Sequence, residues 1–179
     1  MARIVRLVDL PEPGSALGQA EAVFWESAYT TTFADETSRA AYHEMWFGRY
    51  LALMPSEFLL ALGPQGNVIG YLAGSLASDA PPLPGPDYYS LFGPELIARF
   101  PAHIHVNVRA DSRGNGIGAA LVRTFTDHCV ANGVPGLHAI TRAGSRSAAF
   151  FQKCGLAPLA IAIWRDSELA YLAQTNLGR

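Results

Sequence analysis

Cysteine, charge and long apolar runs are all scarce in this chain. Two cysteines occur among its 179 residues. Cys129 and Cys154 form no C-x-x-C pair, so neither a zinc motif nor a dithiol redox centre is encoded. Both fall in predicted helices and read as small buried residues of a reducing compartment. Charged residues make up 16% and the net charge is −2, which excludes the basic field that gathers nucleic acid or anionic membrane. No run approaches the ~18 apolar residues of a membrane span, and MARIVRLVDL holds no small-residue cleavage site. The expected location is cytoplasmic, with no nucleic-acid and no membrane partner. No repeat of fixed period is visible.

Half of the residues are apolar. A chain of this length buries about 70% of its unfolded surface and needs no disulfide or metal staple. A single domain over residues 1–179 is expected. Ile4–Leu10 alternates as a first strand and stops at Pro11-Glu12-Pro13-Gly14. Ser15 is placed to cap a helix carrying Leu17, Ala20, Phe24 and Ala28. Thr30–Glu36 breaks the periodicity. Tyr42, Met45, Trp46, Arg49, Tyr50 and Leu53 then mark a second helix, ended by Pro55, whose aromatic stripe reads as core.

Glu57–Leu62 and Asn67–Leu76 form a hairpin around Gly63–Gly66. Ser78–Pro86 holds four prolines, so residues 78–101 read as an inserted Pro-rich surface loop with one short helix near Glu95–Arg99. Further on come a strand at Leu137–Arg142, a helix at Ser145–Cys154 stopped by Gly155, and a hairpin of Leu159–Trp164 and Glu168–Ala173 turned by Arg165–Ser167. His43, His128 and His138 carry no chemical signal.

The stretch HIHVNVRADSRGNGIG, His103 to Gly118, organises the chain. His103–Val108 reads as a half-buried strand with Ile104, Val106 and Val108 on one face. From Ile117 the apolar residues Ile117, Ala120, Leu121, Phe125 and Cys129 fall at helical spacing. Between them, Gly114, Gly116 and Gly118 keep Cβ atoms out of a ligand's way. The first N–H groups of a helix lack intrahelical partners and carry about half a positive charge. Strand, glycine loop and helix start together make an anion site, and the usual anion is a phosphate.

Three chemistries compete for such a loop. The Walker pattern fails, because no Lys-Ser or Lys-Thr follows the glycines. The dinucleotide fingerprint is met in form by Gly114, Gly116 and Ala119. Arg109–Arg113 nevertheless separate the strand from the first glycine, and the next strand ends in Thr141-Arg142 and not in an acid. A coenzyme A pyrophosphate needs only the backbone donors. His103 and His105 share a strand face, but no third ligand type accompanies them at metal-binding spacing. A histidine ordinarily titrates near pH 6.5, so His105, and less so His103, is a candidate proton relay.

Arg113, Gly116 and Gly118 fit R/Q-x-x-G-x-G/A, and in this the chain resembles the GNAT superfamily of acetyl-CoA-dependent N-acetyltransferases. SRSAAFFQKCGL, Ser145–Leu156, resembles that family's closing helix, F-Y-x-K-x-G-F. The resemblance covers residues 103–156. It implies an α/β (α+β) fold, with a mixed, mostly antiparallel central sheet, helices on both faces and splayed central strands. The implied activity is transfer of the acetyl group of acetyl-CoA to a primary amine by direct attack, without a metal.

The resemblance also assigns residues. The pyrophosphate is expected on the loop Arg113, Gly114, Asn115, Gly116, Ile117 and Gly118. Asn115 would give its N–H there while its side chain faces water. Val106 and Val108 would pair their backbones with the pantetheine amides, Phe150 and Phe151 would lie along that arm, and Lys153 near the nucleotide. The acceptor, a small-molecule or peptide amine, is expected among Glu26, Tyr29, Thr30–Asp35, Tyr88, Tyr89 and Phe92. A homodimer is compatible with the reading. Two residues depart from the family pattern: its Tyr is Phe151 here, and the Asn that often opens the last helix is Gly144. The rival reading is a non-enzymatic coenzyme A-binding, pseudo-acetyltransferase module. FGPELIARFPAHIHVNV also resembles the acetyltransferase-like domain attached to eukaryotic O-GlcNAcases and its bacterial relatives, which points the same way.

Overall fold

A computed structural model describes residues 2–78, 87–175 and 177. The prolines at 81–86, within the loop expected at 78–101, lie outside the described residues. Among the described residues, seven strands form a mixed, mostly antiparallel sheet in the order β1-β2-β3-β4-β5-β7-β6. The chain divides into two compact units, residues 1–74 with 105–125 and residues 75–104 with 126–179.

In the first unit, β1 (Arg3–Arg6), β2 (Phe58–Leu62) and β3 (Val68–Ser75) pair antiparallel, with Val5 opposite Leu60 and Leu60 opposite Tyr71. All five residues of β2 are buried, as a continuous apolar run demands. The strand expected to reach Leu10 ends at Arg6, and Leu7–Asp9 close into a 3-10 turn in which Arg6 pairs with Asp9. Helix α1 (Gly14–Ser27) buries Ala20, Val23 and Phe24. Ser15 does not cap it. The cap position is Pro13, whose carbonyl accepts from Leu17, and the Ser15 hydroxyl accepts from Gln19 within the first turns.

The single helix expected over Tyr42–Leu53 is three pieces: α2 (Glu36–His43), a π turn over Glu44–Gly48, and α3 (Arg49–Leu53). Asp35 caps α2 by accepting from Ser38 N–H at 2.7 Å. In the π turn the Arg49 N–H reaches the carbonyl of Glu44, five residues back. The extra residue shifts the helical phase. Phe47, outside the expected stripe, is therefore buried, while Met45 and Leu53, inside it, are exposed.

The second unit pairs β5 (Gly136–Arg142) antiparallel with β7 (Ser167–Thr175), and β7 with β6 (Ala157–Trp164). Trp164 faces Ser167 in the ladder, so the hairpin turns on Arg165 and Asp166 alone, both at left-handed φ (45° and 59°), as a primed two-residue turn requires. Strand β4 (Ala102–Val108) meets β5 in parallel over two residue pairs, Ala102 with Leu137 and His103 with His138. A short helix, α4 (Gly93–Arg99), precedes β4. Helix α6 (Arg146–Lys153) is capped by Ser145, whose hydroxyl accepts from Ala148 N–H. Gly155 (φ 94°) ends it, and Leu156 N–H bonds back to Phe151. Phe100, Leu137, Tyr171 and Leu172 form the centre of this unit's core.

Candidate functional site

The motif loop lies in the first unit. Gly70 of β3 admits β4 closely: a Cβ there would stand 3.0 Å from Asn107 O. Arg109 N–H bonds to Ile69 O, and Ala110–Ser112 form a 3-10 turn. Glu26, on α1, accepts from Ala110 N–H at 2.7 Å and ties the turn down. Arg109 pairs with Asp111, which draws the Asp111 carboxyl below its ordinary range, and both are exposed.

Arg113 folds back: its Nε donates to Val108 O at 2.8 Å and its Nη2 to Ser27 Oγ at 3.3 Å. Its side chain therefore braces the loop against β4 and α1. Asn115 is exposed, and its Nδ2 donates to Ser112 O at 3.3 Å.

Gly114 (φ 84°) and Gly116 (φ 75°) are left-handed, and a Cβ built on either meets nothing within 4 Å. Their requirement is thus conformational. Helix α5 (Ile117–Ala131) starts at once, its first bond running from Ala120 N–H to Gly116 O. A glycine at the cap has no side chain to occupy the N–H groups of the first turn. Alternating left-handed residues that lead into a helix N-terminus form a concavity of backbone donors at the positive end of a dipole, which suits a diphosphate.

Behind the loop, β4 presents His105, Val106, Asn107 and Val108, all half-buried. His105 Nε2 lies 3.0 Å from the Tyr50 hydroxyl, with the edge of Trp46 against its ring at 5.1 Å between centroids. Tyr50 is buried, which pushes its hydroxyl pKa up, while a hydrogen bond from Arg49 works the other way. Asn107 donates to the Tyr71 hydroxyl at 2.7 Å. Sequence reasoning missed Trp46 and Tyr50 as partners of His105, and Tyr71 as the partner of Asn107. The aromatic stripe holds the first two but names no partner. Of the expected acceptor residues, Glu26 is engaged with the loop, and Tyr29 is 74% exposed two residues beyond α1.

The remaining expected residues belong to the second unit. On α6, Phe151 is buried and packs on the half-buried Phe150 at 5.1 Å, while Lys153 is exposed. Tyr88 is buried, stacked on Tyr89 and edge-on to Trp164. The Tyr89 hydroxyl lies 3.2 Å from His138 Nε2, and His138 Nδ1 lies 2.6 Å from Phe100 O. A carbonyl only accepts, so Nδ1 carries the proton and Nε2 accepts from Tyr89. Burial pushes the His138 pKa down to about 4. His103 Nδ1 meets Ser78 Oγ at 2.7 Å. Among the described residues no group of three or more His, Cys, Asp or Glu is placed to hold a metal, and no helix is long and apolar enough to cross a membrane.

A model of the acetyltransferase (GNAT) family matches residues 20–156. No curated protein matches. Among solved structures, SsHAT superposes with a TM-score of 0.71 at 18% identity, covering 97% of this chain and 98% of its own. A GNAT superfamily phosphinothricin acetyltransferase from Sinorhizobium meliloti, in complex with AcCoA, gives 0.60 at 18% identity, with 97% and 88% covered. Naa20 of Chaetomium thermophilum, in complex with a bisubstrate analogue, gives 0.60 at 22% identity, with 98% and 86% covered. These likenesses concern the fold. With more than half of its length matched by the family model, the chain belongs to the GNAT acetyltransferase family.

Proposed function

We propose that this protein transfers the acetyl group of acetyl-CoA to a primary amine. The observation that carries the reading is the uncapped start of α5 at Gly116, reached through two left-handed glycines. The donors of residues 114–118 would hold the pyrophosphate, with Arg113 and Glu26 keeping the loop in shape. A hydrogen bond to a charged group is worth about 1.5–3 kcal/mol net. Three or four of them, less the cost of immobilising the ligand, reach the ~8 kcal/mol of micromolar binding. The ladder of β4 with β5 is formed at Ala102 and His103, and the pantetheine amides would pair further along, at Val106 and Val108.

Acetyl-CoA supplies an activated thioester. The amine nitrogen forms the new N–C bond as the C–S bond breaks, and backbone N–H groups of β4 would stabilise the developing oxyanion. His105 would take the proton that the amine sheds, directly or through water. Tyr29, on the segment after α1, is exposed and would meet the acceptor. One observation favours a second reading, a coenzyme A-binding module without turnover: position 151 carries no hydroxyl to protonate the leaving thiolate.

Calorimetric titration of coenzyme A into the wild type and Gly116→Val tests the cofactor assignment. A folded variant that has lost most of its affinity supports it, and unchanged affinity in a folded variant removes it.

A further inference from the structure

Among the described residues, β6 ends the sheet and has β7 on one side only. Its sequence, APLAIAIW, carries no charged residue. Leu159, Ile161 and Ile163 alternate along it and are 45%, 63% and 73% exposed. Such an edge offers unpaired backbone groups and an apolar row to another strand. The strand at the other end of the order, β1, is four residues long, with exposed Arg3 and Arg6 at its ends. Shortness and charge blunt that edge. On β6 comparable devices stand only at the start, where Pro158 lacks an N–H and the register with β7 shifts between Pro158 and Ala160. From Ala160 to Trp164 the edge is plain.

We propose that two copies of the chain pair along this edge, β6 against β6, antiparallel about a two-fold axis at Ala162. Such an interface is isologous, and the sequence suits one. Ile161 of one copy falls opposite Ile163 of the other, and the axis repeats the pair. On the other face Ala160 falls opposite Trp164, small against large. Cross-strand pairs of this kind are the unit of sheet stabilisation. One contact thus satisfies the edge hydrogen bonds and gives the apolar row a neighbour.

Charge agrees with a second copy as the occupant. In the ladder with β7, Ile161 pairs with Ala170 and Ile163 with Glu168, which is exposed. A Cβ on Gly155, where α6 ends, would stand 3.6 Å from the Gln174 side chain, and Gln174 shares its face of β7 with Glu168 and Ala170. Lys153, exposed in the last turn of α6, is therefore on that side of the sheet, at the end where β6 begins. The two-fold turns the Glu168 end of each copy toward the Lys153 end of the other, so acid approaches base at both ends of the joined strands. Eight residues extend about 26 Å. Contact along that length buries less than the ~800 Å² per partner of a standard interface, so the dimer should dissociate in the micromolar range.

The test is sedimentation velocity of the full chain through the micromolar range without acetyl-CoA, which reads association whether or not the protein acetylates anything. The wild type should pass from the mass of one chain to that of two and stop there. Ile161→Lys sets a cation against Ile163 twice in each interface and should raise the dissociation constant about tenfold or more. Ile163→Lys reads the same edge should Ile161→Lys fail to fold. Glu168→Lys should weaken the dimer, and adding Lys153→Glu should restore it. A wild type that stays monomeric overturns the proposal and leaves the edge to an extended peptide of another protein. So does a dimer that both lysine variants of the strand leave intact. Growth past two chains overturns it as well, because a closed two-fold forbids that.

Discussion

Arg113 turns its guanidinium back onto the strand that leads into its own loop, Nε donating to the Val108 carbonyl at 2.8 Å. The motif arginine thus acts on loop shape from behind. Arg113→Met keeps the stem and loses that bond. A single bond from a charged donor is worth about 1.5–3 kcal/mol, so the coenzyme A dissociation constant should rise roughly tenfold or more. Calorimetry that finds the constant unchanged would show that the glycines hold the loop by themselves.

His138 gives the fold an acid-sensitive point. Its native pKa lies near 4 because burial disfavours the imidazolium, whereas in the unfolded chain a histidine titrates near 6.5. Between those values the unfolded state binds more protons. The contribution is complete above about pH 6.5 and is lost as the pH falls toward 4, and it amounts to about 3 kcal/mol. Urea unfolding from pH 7 to 4 should show a steeper loss in the wild type than in His138→Asn. Equal slopes would refute the buried neutral histidine.

Gly136 opens β5 in a space that a methyl group cannot share. A Cβ there would sit 2.6 Å from the Phe100 ring and 2.7 Å from the Arg99 carbonyl. Gly136→Ala should destabilise the protein by about 1–3 kcal/mol through overpacking. Thermal or urea denaturation measures it, and a neutral result would mean that the turn after α4 yields readily.

Phe151 is buried against Phe150, where the family pattern has tyrosine. Phe151→Tyr adds one oxygen to a ring of the same shape. If the thiolate lacks a proton donor, kcat should rise, by up to the ~10²–10⁴-fold typical of general acids, with little change in coenzyme A affinity. A rate within about threefold of wild type, under 1 kcal/mol, would mean that another donor already serves.

Much of this was legible because the signals were local. The glycine loop, the alternation of β4 and the spacing from Ile117 describe a strand, a loop and a helix, whereas the positive φ of Gly114 and Gly116 and the Ser145 cap were not read. The π turn was not legible. A period of 3.6 residues carries no mark of one inserted residue, so Phe47 was missed as core and Met45 misplaced there. Partnerships across distance were equally hidden. Nothing in the chain announces that Tyr50 meets His105, or that Glu26 reaches Ala110, 84 residues away. Ser15 looked able to cap α1, yet Pro13 holds that position, and Asp35, which the sequence analysis did not single out, caps α2.

The most direct test of the central claim is release of free coenzyme A from acetyl-CoA, followed in the wild type and in Phe151→Tyr across a broad panel of amines. Release should depend on the added amine, with acetylated amine appearing in equal amount. In His105→Ala the acid limb of the kcat/KM profile should be lost. Tight binding of acetyl-CoA without amine-dependent release in either protein would contradict it and leave a coenzyme A-binding module.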